Sequence, residues 1–395
     1  MRRVRLAYLA LGAALGAYLP FVAVIQTAKG FDPLALGLIG AIGAAVGVIA
    51  APVWGHLGDV VLGRRRVLVL AALVGAGLLA GYGLAGLPLV LAGLWIAKGI
   101  FIGTTNPTMD AVALVVVRER GAGSFARLRV PLSLAFGVAA IGAGVLYLAY
   151  GYAIAPFVAA AGFAVFAACA LTLPDPPRTA AAAASTGRRG GASSAAFAAQ
   201  PRLPIVLLTF GLGTLGMVAA FGWRPLRIEE LGGSSTDVAL AAGLESFAEV
   251  PAFIVAGLLA ARLGLRTLYG LSALLMGTCV VVLALLTDPS VMIGVRVVNG
   301  IAYAGMTVAS VSALGTLLPV SLQATGQSLM AMTASIASIL LGVVGGSIYQ
   351  FAGAPALFAV TGSATLLAAV LGWLVLPARD RGAGPTPLTP GGSSA

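Results

Sequence analysis

The side chains that could do chemistry in this chain are few, and they sit in apolar surroundings. Lys98, Asp110, Arg129, Glu245, Glu249 and Arg296 all fall inside long apolar runs. On insertion scales a charge at the centre of a membrane helix costs roughly 2.5–3.5 kcal/mol, so such groups persist where they pair or line water. Asp110 and Arg129 lie on neighbouring runs joined by a short connection, which makes the runs antiparallel partners. An ion pair about 4 Å apart gains about 4 kcal/mol at an effective dielectric of about 20, comparable with the insertion cost of one member. The pair can hold a polar solute, or it can tie two helix ends together. Glu245 and Glu249 are four residues apart and share one helix face. Two carboxyls so placed can take up and release a proton, and Glu249 could carry one through a transport cycle. The competing role is an ion pair between one glutamate and Arg296 that only braces the helices. Arg296 is expected to face a central cavity, with Gln26, Tyr18 and Asn106 as further polar lining. Packing is the equal alternative for Tyr18.

Other chemistry lacks its parts. His56 is the single histidine, which excludes a multi-histidine metal site. Cys169 and Cys279 both lie in apolar runs and read as small buried hydrophobes. An enzyme would need a nucleophile beside a base, or a metal cluster. A phosphate-binding Gly-x4-Gly-Lys-Ser/Thr loop is missing, which argues against ATP as the driving force. The expectation is a protein that is no enzyme and uses no cofactor or metal.

The elements that position these residues must cross a membrane. Of 395 residues, 60% are hydrophobic and 9% charged, against roughly 25% charged in a soluble domain. Lipid therefore has to cover most of the surface. The 54 glycines fall largely within the apolar runs, where small residues let helices approach closely. About 20 apolar residues span a hydrocarbon core of about 30 Å. On that scale six spans fall at roughly 4–27, 33–55, 66–85, 88–117, 127–150 and 152–173. Six more fall at roughly 204–223, 237–261, 267–287, 290–318, 322–351 and 354–377. The opening Arg2-Arg3-Val4-Arg5 resembles a signal peptide start, but the run behind it is long enough to span. Four segments follow: a six-helix half over 1–173, a flexible connector over 174–203, a second half over 204–378, and a disordered tail over 379–395.

The net charge is +11, yet the basic residues form no stripe for nucleic acid. They cluster in the short gaps between runs, as membrane topology demands. With both termini in the cytoplasm, Arg2, Arg3, Arg5, the Arg64–Arg66 trio, Arg262, Arg266 and the connector arginines all lie inside. The outer loops then hold only Lys29, Arg224 and Arg227. That bias sets the orientation in the cytoplasmic membrane.

A loop repeat adds the architecture. Gly55-His56-Leu57-Gly58-Asp59-Val60-Val61-Leu62-Gly63-Arg64-Arg65-Arg66 lies between spans two and three. A worn copy, Gly257-Leu258-Leu259-Ala260-Ala261-Arg262-Leu263-Gly264-Leu265-Arg266, lies between spans eight and nine. Such duplication predicts two homologous halves that can move against each other. Asp59 can pair with an arginine and clamp one arrangement of the halves, with helix N-terminal dipoles in support; otherwise the arginines only set topology, the role expected of Arg66.

The first loop resembles the signature of the major facilitator superfamily through Gly55, Leu57, Gly58, Asp59, Gly63, Arg64 and Arg65. It departs by one extra residue between Asp59 and Gly63, and by Val60 where an arginine is usual. The second loop keeps Gly257, Arg262, Gly264 and Arg266, with Ala261 in place of the aspartate. Gly16-Ala17-Tyr18-Leu19-Pro20-Phe21 and Asn106-Pro107-Thr108-Met109-Asp110 are similar to lactose permease-like members. Glu249-Val250-Pro251 and Ala324-Thr325-Gly326-Gln327-Ser328 look like the branch of phenylpropionate permeases and nucleoside–proton symporters. The resemblance implies an all-α fold of twelve transmembrane helices in two pseudo-symmetric halves. It implies a monomeric secondary transporter whose partners are a small organic solute, protons and the bilayer. Asp110 and Arg129 would bind the solute. The proton site of lactose permease-like members, a His and Glu in span ten, has no counterpart here. Rival readings are proton-driven efflux of a hydrophobic compound and, from a different class, a non-transporting membrane sensor.

Overall fold

In hydrocarbon every backbone N–H and C=O must be satisfied within its own segment, which favours helices. The computed structural model describes residues 1–119, 125–174 and 189–378; the connector residues 175–188 and the tail from 379 lie outside the described residues. Those described form α-helices with short 3-10 and π turns, and no strand.

The first crossing is α1 (Arg2–Gly16) and α2 (Val22–Ala28), joined by a 3-10 turn at Leu19–Phe21. The turn falls at Pro20, which has no N–H to give a helix. Then come α3 (Pro33–His56), α4 (Arg64–Leu84), α5 (Pro88–Glu119), α6 (Phe125–Tyr150) and α7 (Ala155–Leu171). Asp32 caps α3 by accepting from the Ala35 N–H at 2.7 Å. The second set is α9 (Leu203–Glu230), α10 (Ser235–Leu263), α11 (Leu265–Leu285), α12 (Pro289–Leu317), α13 (Gln323–Leu340) and α14 (Gly346–Val375). Among the described residues 11 helices are long and apolar enough to span. The last, Thr325–Val375, turns back at Gly353, whose φ of 82° only glycine adopts readily. It therefore makes two crossings, giving twelve.

Two expectations are corrected. The connector contains a helix, α8 (Arg189–Ala199), which packs against α13; its alanines favour that state. Arg224 is not in an outer loop. The chain stays helical to Glu230, and Arg224 is enclosed within α9. A drop in hydropathy at Trp223-Arg224-Pro225 is not a helix end when the arginine turns inward.

The halves repeat each other's neighbour relations. The third crossing packs on the fourth and sixth, as the ninth packs on the tenth and twelfth. Between the halves, α6 meets α10, and α3 meets α13 and α14. These contacts are closest at the end away from the Asp59 loop, and they depend on small residues. A Cβ added to Gly37 would lie 2.9 Å from Gly346 Cα. Ser235 donates to the Gly144 carbonyl at 2.8 Å, and Tyr152 donates to Glu229. One end is thus shut while the other is parted. Overpacking here costs about 1–3 kcal/mol. Gly37→Val should therefore raise the population open at the shut end by about fivefold or more. Spin labels at the exposed Leu87 and Thr287, on loops of the two halves at the shut end, would report it as a grown long-distance fraction. An unchanged distribution would show that this contact does not hold the halves.

Candidate functional site

Five ionisable residues of the spans, three acidic and two basic, lie toward the place where the halves face each other. From the first half, α5 supplies Asp110 and α6 supplies Arg129, with Arg129 Nη1 3.2 Å from Asp110 Oδ2. The Tyr8 hydroxyl of α1 donates to the other carboxylate oxygen at 2.8 Å. The Arg129 side chain is 43% exposed and that of Asp110 23%, so both reach water. From the second half, Glu245 on α10 forms an ion pair with Arg296 on α12. Arg296 also donates from Nη1 to the Ala220 carbonyl of α9 at 3.2 Å and lies 5.1 Å from the Phe221 ring centre. These bonds fix a guanidinium that is 2% exposed.

Glu249 is different. Among the described residues it has no ion-pair or hydrogen-bond partner. It stands one turn along α10 from Glu245, and both side-chain stems lie against Gly300. A Cβ at Gly300 would come 3.1 Å from Glu245 Cγ and 3.4 Å from Glu249 Cγ. Ser246, between the two glutamates, donates to the Ser133 carbonyl of α6 at 2.9 Å, one turn from Arg129. Arg129 belongs to the other half. A row of groups therefore runs Asp110, Arg129, Glu249, Glu245, Arg296 from one half into the other.

A cavity of ≈ 580 Å³ lies between the halves, lined by none of these five residues. It is bounded by α3 and α5 from one half and by α9 and α13 from the other, and it reaches Asp59 and Arg64 at the parted end. Besides Asp59 and Arg64, its polar groups include the hydroxyls of Thr104, Thr108, Thr214, Ser335 and Ser338. Asp110 flanks the α5 face that carries Pro107, Thr108 and Ala111 into the cavity. The hydroxyls of the cavity can hold a small polar solute, and Asp110 stands at the edge of its wall.

The other predicted residues are housed differently. Tyr18 is 1% exposed inside the first half, where its hydroxyl accepts from Lys98 Nζ. Lys98 sits 3.9 Å from the Trp95 ring centre and 4.5 Å from that of Tyr18, with no carboxylate partner among the described residues. Gln26 is buried with an unpartnered Nε2, and Asn106 has an unpartnered Oδ1. Tyr18 is thus engaged within its own half, whereas Asn106 stands one turn before Asp110 on α5 and shares its helix face. Sequence reading did not name Tyr8 or the cavity hydroxyls. Hydroxyls recurring inside apolar runs were the available signal for the latter. Tyr8 reads as an ordinary aromatic until Asp110 stands beside it.

The loop motif has its own geometry. Arg64 Nε lies 2.7 Å from Asp59, and Arg64 Nη1 donates to the Ala111 carbonyl of α5 at 3.1 Å. The extra residue before Gly63 is taken up by a π turn at Leu57–Val61. Gly63 and Gly264 start α4 and α11 with φ of 86° and 83°. Those left-handed values explain why glycine stands at both places. Gly55 and Gly257 have open space around them. Arg65 and Arg266 are half-buried and Arg262 is exposed. The Asp59–Arg64 pair is partly exposed at 32% and 26%, which limits it to about 1 kcal/mol. Asp59→Ala should therefore slow transport several-fold while expression and unfolding temperature hold. An unchanged turnover rate would remove Asp59 from gating.

Comparison with known proteins agrees with this architecture. The maltose permease of Geobacillus stearothermophilus is 30% identical over 269 residues, 66% of this chain. The chain spans 65% of that permease's length. Among solved structures, a mutant of the nucleoside transporter NupG superposes with a TM-score of 0.83 at 15% identity, covering 95% of this chain and 99% of that one. A D-xylose–proton symporter gives 0.72 at 15% identity, with 95% and 98% covered. A bacterial homologue of the iron transporter ferroportin, in an inward-facing state, gives 0.73 at 17%, with 94% and 97% covered. At such identities these structures speak for the fold alone. They share the two six-helix halves, and these relatives are transporters rather than enzymes. Residues 1–360 match the MFS_1 like family, so this multi-pass membrane protein belongs to that family of the major facilitator superfamily.

Proposed function

We propose that the protein moves a small organic solute across the cytoplasmic membrane by alternating access, coupled to protons, with both termini cytoplasmic. The halves would be residues 1–173 and 204–378, hinged on the connector. The observation that carries the reading is the row of groups across the interface, with Glu249 unpaired between Arg129 of one half and the Glu245–Arg296 pair of the other. A carboxylate there gains when Arg129 approaches and gains a proton's company when it recedes. Motion of the halves and proton transfer thereby become one event. Symport is favoured because the similar proteins include a D-xylose–proton symporter, a maltose permease and a nucleoside transporter, all named for polar solutes, and because hydroxyls line the cavity.

Purified protein in liposomes tests this directly. Uptake of a labelled panel of nucleosides, sugars and aromatic acids should appear for at least one solute and rise with an inward proton gradient. Flux that ignores the gradient would reject coupling. Absence of flux for the whole panel, with binding of none, would favour the sensor reading. Acceleration by an outward solute gradient with proton exchange would favour efflux.

A further inference from the structure

Arg224 is the largest fully enclosed side chain of the described residues. It is 0% exposed, and its Nε, Nη1 and Nη2 have no hydrogen-bond partner among them. A guanidinium offers five N–H donors and does not lose its charge at any ordinary pH. Enclosing it unpaired is among the costliest arrangements a fold can hold. The groups that act on it electrostatically are Arg296, Glu245 and Cys279. Glu245 is already committed to Arg296, and a thiol supplies little charge. Two guanidiniums thus share one carboxylate.

Asn299 is the second orphan. It is 2% exposed, and both its Oδ1 and Nδ2 lack partners. It lies three residues beyond Arg296 on α12, so the two share a helix face. α9 and α12 run in opposite directions, and helix side chains lean toward their own N-terminus. Arg224 on α9 and Asn299 on α12 therefore lean toward one level. That is the level at which Arg296 reaches the Ala220 carbonyl.

We propose that Arg224, Asn299 and Arg296 form a binding site for a small monoanion inside the second half. One missing negative charge fits a monoanion and not a phosphate dianion. Complete enclosure fits something the size of a carboxylate group or a halide. Planar guanidinium forks match a carboxylate in two-point fashion, and the Asn299 amide adds a donor. Glu245, whose side chain is 15% exposed, is the least buried member and marks the side of entry. The solute reading enters only in the source of the anion: the carboxylate of a transported acid, or an inorganic halide held as part of the fold.

The test needs no transport. Purified protein in detergent is unfolded by heat in sodium sulfate, a dianion the site should refuse, then with chloride, formate, acetate or benzoate at the same ionic strength. At least one of the small anions should raise the midpoint in a saturable way, as a ligand of the native state must. Arg224→Met should abolish that response, and Asn299→Ala should weaken the apparent affinity at least about tenfold. Arg224→Met should also equal or exceed the parent in sulfate alone, because it removes the uncompensated charge. Chloride alone acting identifies a structural halide; formate, acetate or benzoate acting identifies a carboxylate site. No saturable response to any of the four, or the same response in Arg224→Met, overturns the proposal. Should Arg224→Met fail to fold, Asn299→Ala decides by itself, and an unshifted affinity there rejects the site. Failure here leaves proton-coupled flux intact, and failure of flux leaves anion binding intact.

Discussion

Glu249→Gln is expected to abolish proton-driven accumulation while solute still exchanges across the liposome membrane at a similar rate. One proton moving through about 100 mV is worth about 2.3 kcal/mol, enough to concentrate a neutral solute roughly fiftyfold. The variant should reach an inside-to-outside ratio near one. Glutamine keeps the length and polarity of the side chain and removes only the group that can gain or lose a proton. Its stem can still rest against Gly300, where a Cβ would be 3.4 Å from Glu249 Cγ, so the packing of α10 on α12 is kept. Glu245 is the control. It forms an ion pair with Arg296, and Glu245→Gln strands a guanidinium that is 2% exposed. That loss should lower stability by about 3 kcal/mol or more. The two glutamates therefore separate by assay: one changes the coupling, the other the midpoint of unfolding. Full accumulation by Glu249→Gln would place the proton elsewhere, and the enclosed Lys98 is the next group to examine.

Much of this was legible in the chain because lipid simplifies the problem. Run length alone placed the crossings, and the pairing of Asp110 with Arg129 followed from adjacency of two spans. The choice between Glu245 and Glu249 for Arg296 was left open by a shared helix face, and the fold settles it in favour of Glu245. What stayed hidden has a common cause. Hydropathy averages over a window, so it ended a helix at Arg224 although a buried arginine can be housed by turning inward. It also gives no angle around the helix axis. Tyr18 looked like a lining residue but points into its own half, against Lys98 and Trp95. The one-residue excess in the first loop appeared as a departure from the pattern. In three dimensions it is a π turn at Leu57–Val61 that leaves Gly63 and Gly264 in matching backbone states.

The second large effect belongs to Asp110. Asp110→Asn should weaken solute binding at least about thirtyfold, the low end of what truncating one member of a hydrogen-bonded charge pair costs. The carboxylate holds Arg129 Nη1 at 3.2 Å and takes a hydrogen bond from Tyr8 at 2.8 Å. It thus aims the guanidinium and keeps its own second oxygen occupied. Arg129 is 43% exposed, so its charge stays solvated when the aspartate is neutralised, and the bundle should lose only about 1 kcal/mol. That exposure separates the two roles the sequence left open. A brace between helix ends would show the reverse: affinity kept and stability lowered. A double-variant cycle with Arg129→Gln completes the argument. If the pair acts as one recognition unit, the second substitution adds little to the first. If the losses in affinity simply add, Asp110 and Arg129 touch the solute independently, and the ion pair between them is incidental to binding.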